Sequence, residues 1–352
     1  MMIRTNLLKK ARTSPPSNKP LPGRHSRPLA GTCTRTFQTL HKRPRLHYEG
    51  TIIRPPSEAD AVLLQVAAGC PHNSCAFCGA YRGERHRITD ESTVFEDIDF
   101  AARHMGHLRR VFLCGGDAMA LPWERLARIL RRIRERLPRV ARTSVYASAS
   151  SIAGKSHDEL GELAALGLST LYMGLESGDG ELLRAMGKHA GPEDMLREAR
   201  KVRQAGLKLS VSLIVGLAGS AESGGRGGLD GLDKSGAWDG WQRHACLTGE
   251  LLSAMQPDQA AALSLIPVPG TRLWEDIQAG RFTLPDATAM LRELRLILEH
   301  THVGRGLFLA DHASNHLPLK LRLPRDRERG LALLDAAIAG KVNLRPESTR
   351  RL

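Results

Sequence analysis

Six short apolar runs, each followed by turn residues and a helical pattern, recur over residues 61–270 and limit the fold more than any other feature. The first is "AVLLQVAAG", then "RRVFLCGG", "RTSVYASAS", "LSTLYMGLESG" and "LKLSVSLIVGLAG", with a sixth over 259–270. Near-continuous apolar strands alternating with amphipathic helices predict a parallel sheet covered by helices. Right-handed crossovers leave a doubly wound sheet or a barrel, and six units fall short of the eight that close a barrel. In either case ligand chemistry gathers at the C-terminal ends of the strands. After residue 270 helical patterns dominate, over 271–280, 287–300 and 327–340.

The expected organisation is a basic tail over 1–46, a core over 47–270 and a helical extension over 271–352 that covers the core. Within the core, residues 219–240 are rich in glycine and read as a flexible insertion. The net charge of +14 suggests a polyanion partner, but its distribution argues otherwise. The tail holds 11 of the 51 Lys and Arg residues and none of the 37 Asp and Glu, so the remainder is almost balanced. Such a tail, with prolines at 15, 16, 20 and 22, reads as disordered or as a targeting segment, and nucleic acid is not the favoured partner. No stretch has the roughly 18 uninterrupted apolar residues of a membrane helix. The expected compartment is the cytoplasm.

Three of the six cysteines, Cys70, Cys75 and Cys78, crowd into "GCPHNSCAFCGAYRG", the loop that follows the first strand. In a reducing compartment such a cluster suggests metal before disulfide. Three thiolates are one short of a closed zinc site. His72 is the nearest further donor, though its closeness to Cys70 would strain a tetrahedron. A four-iron cluster takes one thiolate per iron, so three cysteines leave one iron open to a ligand. Cys114 ends the second strand and reads as a buried thiol. Cys33 and Cys246 carry no signal.

A three-cysteine loop of this kind, with an aromatic just before its last cysteine, resembles the radical S-adenosylmethionine (SAM) superfamily. Its spacing is C-x4-C-x2-C, one residue longer than the commoner form. "CGGDAM" is similar to the glycine-rich motif after the second strand, "GLESGDGELLRAMGKH" to the fourth-strand motif and "SLIVGLAG" to the fifth. The fourth-strand motif is that of the branch with coproporphyrinogen dehydrogenases, Elongator-type enzymes and methylthiotransferases. The lead-in "YEGTIIRPPSEA" and the late "DHASNHLPLKLRLP" are similar to an uncharacterised subgroup.

The resemblance implies an α/β fold, a partial (β/α)6 TIM-like barrel, and two cofactors, a [4Fe-4S] cluster on Cys70, Cys75 and Cys78 and SAM on its open iron. Gly115, Gly116 and Asp117 would receive the ammonium of SAM, Glu176 its ribose hydroxyls and Lys188 its carboxylate. Phe77, Gly216 and Ile266 would flank the adenine. The product would be a 5′-deoxyadenosyl radical acting on an unnamed substrate. A small reduced protein such as flavodoxin or ferredoxin would supply the electron, by analogy. The competing expectation is a zinc-stabilised protein that contacts RNA or another polyanion through its tail. The polar loop of Asp311, His312, Ser314, Asn315 and His316 is a candidate substrate contact, or simply a turn.

Overall fold

The computed structural model describes residues 45–220 and 240–351. The basic tail, apart from residues 45 and 46, and nearly all of the 219–240 insertion lie outside the described residues. The chain runs through β1 (Val62–Gln65), β2 (Ala67–Ala68), β3 (Arg87–Ile88), α1 (Glu91–His104), β4 (Arg110–Cys114), α2 (Trp123–Arg136), β5 (Arg142–Ala147), α3 (Ala149–Ala153) and α4 (His157–Ala165). It continues through β6 (Leu168–Glu176), α5 (Gly180–Ala185), α6 (Pro192–Gln204), β7 (Lys208–Val215), α7 (Gly240–Met255) and β8 (Gln259–Ser264). The last elements are α8 (Arg272–Gln278), α9 (Ala287–Glu299), β9 (Gly306–Leu309), β10 (Lys320–Leu323) and α10 (Arg327–Ile338).

One eight-stranded sheet has the order β1-β4-β5-β6-β7-β8-β9-β10. Every neighbouring pair is parallel except β9–β10, and β1 does not pair with β10. This is a mostly parallel α/β sheet, a partial TIM-like barrel left open along one side. The region expected to be helical therefore adds two strands. Only four residues each, "GLFL" and "KLRL" are too short to stand out between two long helical patterns.

Alternation along the central strands divides core from cavity. Leu171, Met173 and Leu175 of β6, Leu209 and Leu213 of β7, and Ala260 and Ala262 of β8 join the main hydrophobic core beneath the helices. Their neighbours Tyr172, Gly174, Ser210, Ser212, Gln259 and Ala261 line a cavity on the concave side. Serine, glycine and alanine at those positions keep the space open.

The third strand ends sooner than its sequence suggests. Ser148 stops β5 because its hydroxyl accepts from the Ser151 backbone N–H at 3.0 Å while Ser151 Oγ accepts from the Ser148 N–H at 3.0 Å. This reciprocal box starts α3.

Close packing at the end of β6 yields a test. A Cβ on Gly178 would lie 2.6 Å from the backbone nitrogen of Thr248 in α7, which cannot move aside. Gly161, inside α4, has nothing within 4 Å of such a Cβ. In urea unfolding, Gly178→Ala is expected to destabilise by about 2 kcal/mol. Gly161→Ala is expected to stabilise by up to about 1 kcal/mol through helix propensity.

Candidate active site

The cavity has a volume of about 1330 Å³ and opens where the parallel strands end. That exceeds the roughly 300–1,000 Å³ of a pocket for one small molecule. Cys70, Cys75, Phe77, Cys78, Gly116, Asp117, Glu176 and Lys188 all line it. Residues expected on separate loops thus meet in one place. Gly115, Gly216 and Ile266 are not on its wall.

The cysteine loop is closed at its base by the antiparallel pair β2–β3, Ala67 opposite Ile88 and Ala68 opposite Arg87. It is tied to the end of β4 by the Gly116 N–H, which donates to the Gly69 carbonyl at 2.9 Å. A Cβ on Gly116 would stand 2.5 Å from the Cys70 Cβ and 2.6 Å from its Cα. Only glycine permits that approach, so the glycine pair and the first cysteine are one packed unit. Asn73, at φ +39°, turns the loop and donates its side-chain N–H to the Tyr81 carbonyl at 2.9 Å.

All three thiols are partly exposed and free. Burial pushes the Cys75 thiol up to about 12, and the Lys188 ammonium opposes that shift. Burial also raises Cys78, with a backbone hydrogen bond and Lys188 acting the other way. A coordinating cation would deprotonate such thiols outright.

Neither His72 nor Cys114 joins them. His72 lines the cavity, but its Nε2 is 2.7 Å from the Gly187 carbonyl and its ring packs edge-on against His189. Cys114 is fully buried beside Ile52, Ala61 and Phe112. Among the described residues, no group of three or more His, Cys, Asp or Glu side chains is gathered to hold a metal ion. A zinc site needs such convergence on one atom, whereas a four-iron cluster spreads its thiolates over separate irons. The donor set fits the cluster better.

Two polar arrangements border the thiols. Asp117 is buried, and its carboxylate accepts from Ser148 Oγ at 2.6 Å and Ser151 Oγ at 2.8 Å. Burial raises its pKa, while the two serines hold the rise back. Lys155 donates to the Met119 carbonyl at 2.6 Å and stands in the field of Asp117. Glu176 ends β6 at φ +63°, just after a break in register with β7. Its Oε1 is 3.3 Å from Lys188 Nζ, which also donates to the Gly174 carbonyl at 3.0 Å. Burial works against the Lys188 charge, but Glu176 and Cys75 outweigh it and its pKa rises.

Behind the wall, a buried polar network holds the ends of β6 and β7 together. His244 of α7 has its Nδ1 2.7 Å from Ser177 Oγ and its Nε2 3.2 Å from Glu293 Oε1 of α9. The same Glu293 oxygen accepts from the Gly216 N–H at 2.7 Å. Gly216 therefore acts from behind the wall, its N–H already engaged. Ser177 Oγ also accepts from the Asp179 N–H at 2.9 Å, and Thr248 Oγ1 from the Gly178 N–H at 2.8 Å. A lone His in an amphipathic helix and a Glu in another carry no sequence signal for this pairing.

In the late polar loop, Asp311 and His312 reach the cavity. Ser314 and Asn315 turn instead to β8, where Asn315 Oδ1 accepts from Ser264 Oγ at 2.9 Å and Asn315 Nδ2 donates to the Ala262 carbonyl at 2.9 Å.

Residues 64–223 match the family model described as "Radical SAM superfamily". No curated protein matches the sequence. Among solved structures, the radical SAM methyltransferase TsrM from Kitasatospora setae, described with cobalamin and a [4Fe-4S] cluster bound, is similar at 17% identity and a TM-score of 0.48. The match covers 62% of this chain and 37% of TsrM. Coproporphyrinogen III oxidase (HemN) from Escherichia coli, described as a radical SAM enzyme, is similar at 15% identity and a TM-score of 0.48, over 69% of this chain and 52% of HemN. The chain thus spans well under two thirds of the length of either. Among the described residues, no helix is long and apolar enough to cross a membrane.

Removing Lys188 would leave the Glu176 carboxylate facing the thiols without a counter-charge. Lys188→Met is expected to cost about 2 kcal/mol in urea unfolding at pH 7, with part recovered in the Glu176→Gln/Lys188→Met double variant. Because Lys188 has a raised pKa, its contribution is complete below its ordinary value of 10.5 and is lost as pH rises through the raised one. The stability gap between wild type and Lys188→Met should therefore be constant near neutrality and narrow above about pH 10.5.

Proposed function

We infer that the chain is a radical SAM enzyme in which Cys70, Cys75 and Cys78 hold a [4Fe-4S] cluster and the adjoining wall holds SAM. The observation that carries this is the set of three thiols on one loop, on the wall of a large cavity, with His72 and Cys114 both engaged elsewhere. When bound, the cluster supplies the single electron that splits a C–S bond of SAM into methionine and a 5′-deoxyadenosyl radical.

Each neighbouring residue has a role suited to its surroundings. Gly116 keeps the backbone bare beside Cys70 and leaves space for the amino acid end of SAM. Asp117, its carboxylate steered by two serine hydroxyls, accepts hydrogen bonds from the ammonium. Lys188 has three N–H donors and uses two on Gly174 and Glu176, so one remains for the carboxylate of SAM. Glu176 accepts from the ribose hydroxyls, and Phe77 offers backbone and ring to the adenine. Gly115, Gly216 and Ile266 support the wall from behind. The apolar core behind the wall would limit water beside a reactive radical.

The radical would abstract hydrogen from a carbon of a substrate seated elsewhere in the cavity. The electron donor is a small reduced protein of the flavodoxin or ferredoxin kind. Anaerobically reconstituted protein is expected to bind about four irons per chain, as one cube requires. With dithionite and SAM it should form 5′-deoxyadenosine. Each of Cys70→Ala, Cys75→Ala and Cys78→Ala should lose the iron and the product while keeping the fold by circular dichroism, whereas Cys246→Ala should retain both. A colourless protein that binds one zinc and leaves SAM intact would establish the zinc reading instead.

A further inference from the structure

Arg54 lies in the extended lead-in segment and lines the same cavity as the cysteines. Pro55 follows it in extended conformation, at φ −64° and ψ 148°, before a 3-10 turn over Pro56–Glu58. Its guanidinium carries five N–H donors. Nη1 donates to the Glu58 carbonyl at 3.1 Å, while Nε is buried without a partner. Four other arginines, Arg125, Arg132, Arg142 and Arg327, also bury an unpartnered Nε. Each of those is ion-paired to a carboxylate, Glu91, Asp99, Glu58 and Glu328 respectively, and none lines the cavity.

Among the described residues, Arg54 has no carboxylate within ion-pair distance. The acid closest to it in sequence is committed elsewhere. Glu58 is fully buried, and its Oε1 accepts from Arg142 at 3.0 Å, Ser144 at 3.1 Å and Tyr172 at 2.8 Å. A half-buried guanidinium with an orphaned donor and no counter-charge is costly. Its planar fork matches the two oxygens of a carboxylate or phosphate. The cavity it lines carries neutral donors and acceptors, Ser57 and Tyr172, hydrogen-bonded to each other at 2.8 Å, and Ser210, Ser212 and Gln259 on the strands, together with the charged Glu124, Lys155, Asp311 and Lys320 and the groups beside the cysteine loop.

We propose that Arg54 is the anchor for an oxyanion, carboxylate or phosphate, on the molecule this enzyme acts on. The proposal rests on the radical SAM reading of the cavity and names the substrate class as a small acid. Lys188 is a separate cation, held by Glu176 beside the cysteine loop.

The test needs neither iron nor SAM, so its outcome is independent of the cluster. Full-length protein in 0.15 M sodium chloride (about one physiological ionic strength) is titrated with trifluoroacetate and followed by 19F NMR line width. Acetate, inorganic phosphate and glycerol then compete. Wild type should broaden the line, and glycerol should not reverse this. Stronger reversal by acetate assigns a carboxylate, and stronger reversal by phosphate a phosphate ester. Arg54→Gln should weaken binding about tenfold or more, the scale of a lost charge-assisted hydrogen bond. Arg54→Lys should fall between the two and guards against a folding defect in the glutamine variant. Arg305→Gln, at an exposed arginine outside the cavity, should bind as wild type does. Unchanged binding in Arg54→Gln, or no competition by either anion in wild type, would overturn the proposal.

Discussion

A backbone hydrogen bond from the Gly116 N–H to the Gly69 carbonyl at 2.9 Å fastens the base of the thiol loop to the rim of the sheet, and the Ala76 N–H, donating to the Met186 carbonyl at 2.9 Å, fastens its middle to the end of α5. The first bond can form only because neither glycine presents a side chain there. The loop itself is a long excursion between two short strands, β2 and β3, and such ties limit its freedom. With them, three thiols stand at the C-terminal end of the parallel strands, where the glycine-rich turn after β4 and the carboxylate after β6 also end. The arrangement of the site follows from the parallel topology, which turns every strand the same way and collects their ends on one rim.

Beside those ties, the rim is held by buried polar bonds. His244, Ser177, Glu293 and Thr248 satisfy the backbone where β6 and β7 break off. Buried groups with partners on three different elements fix those elements relative to one another. Glu176 can keep its left-handed φ because Ser177, Gly178 and Asp179 after it are engaged. The network is fully enclosed, so its Ser–His–Glu sequence of contacts does not make a hydrolytic site; it is a brace.

Much of this was legible in the residues. Near-continuous apolar runs and helical patterns marked six of the parallel strands and most helices. The thiol loop, Asp117 and Glu176 could be placed at strand ends from the residues alone, and Lys188 in the segment that follows Glu176. What escaped reading had physical causes. β9 and β10 are four residues long and gain their strand character from the sheet edge they extend, not from local pattern. Ser148 looked like part of a strand because a capping box competes with extended structure through a hydrogen bond that composition alone does not show. Arg54 sat in what looked like a connecting segment, and its lack of a counter-charge is a fact of three-dimensional packing. The bond from the Gly216 N–H to Glu293 of another element is likewise a fact of packing that no local pattern carries.

The central claim is that three thiols leave one iron to be completed by the amino acid end of SAM. Electron–nuclear double resonance on the anaerobically reduced protein, with SAM labelled with 15N at its amino group, tests this most directly. The account predicts a hyperfine coupling from that nitrogen to the cluster, absent with unlabelled cofactor and abolished in Cys75→Ala. A reduced cluster with no such coupling in wild type, or one coupled instead to a histidine nitrogen of the protein, would contradict it.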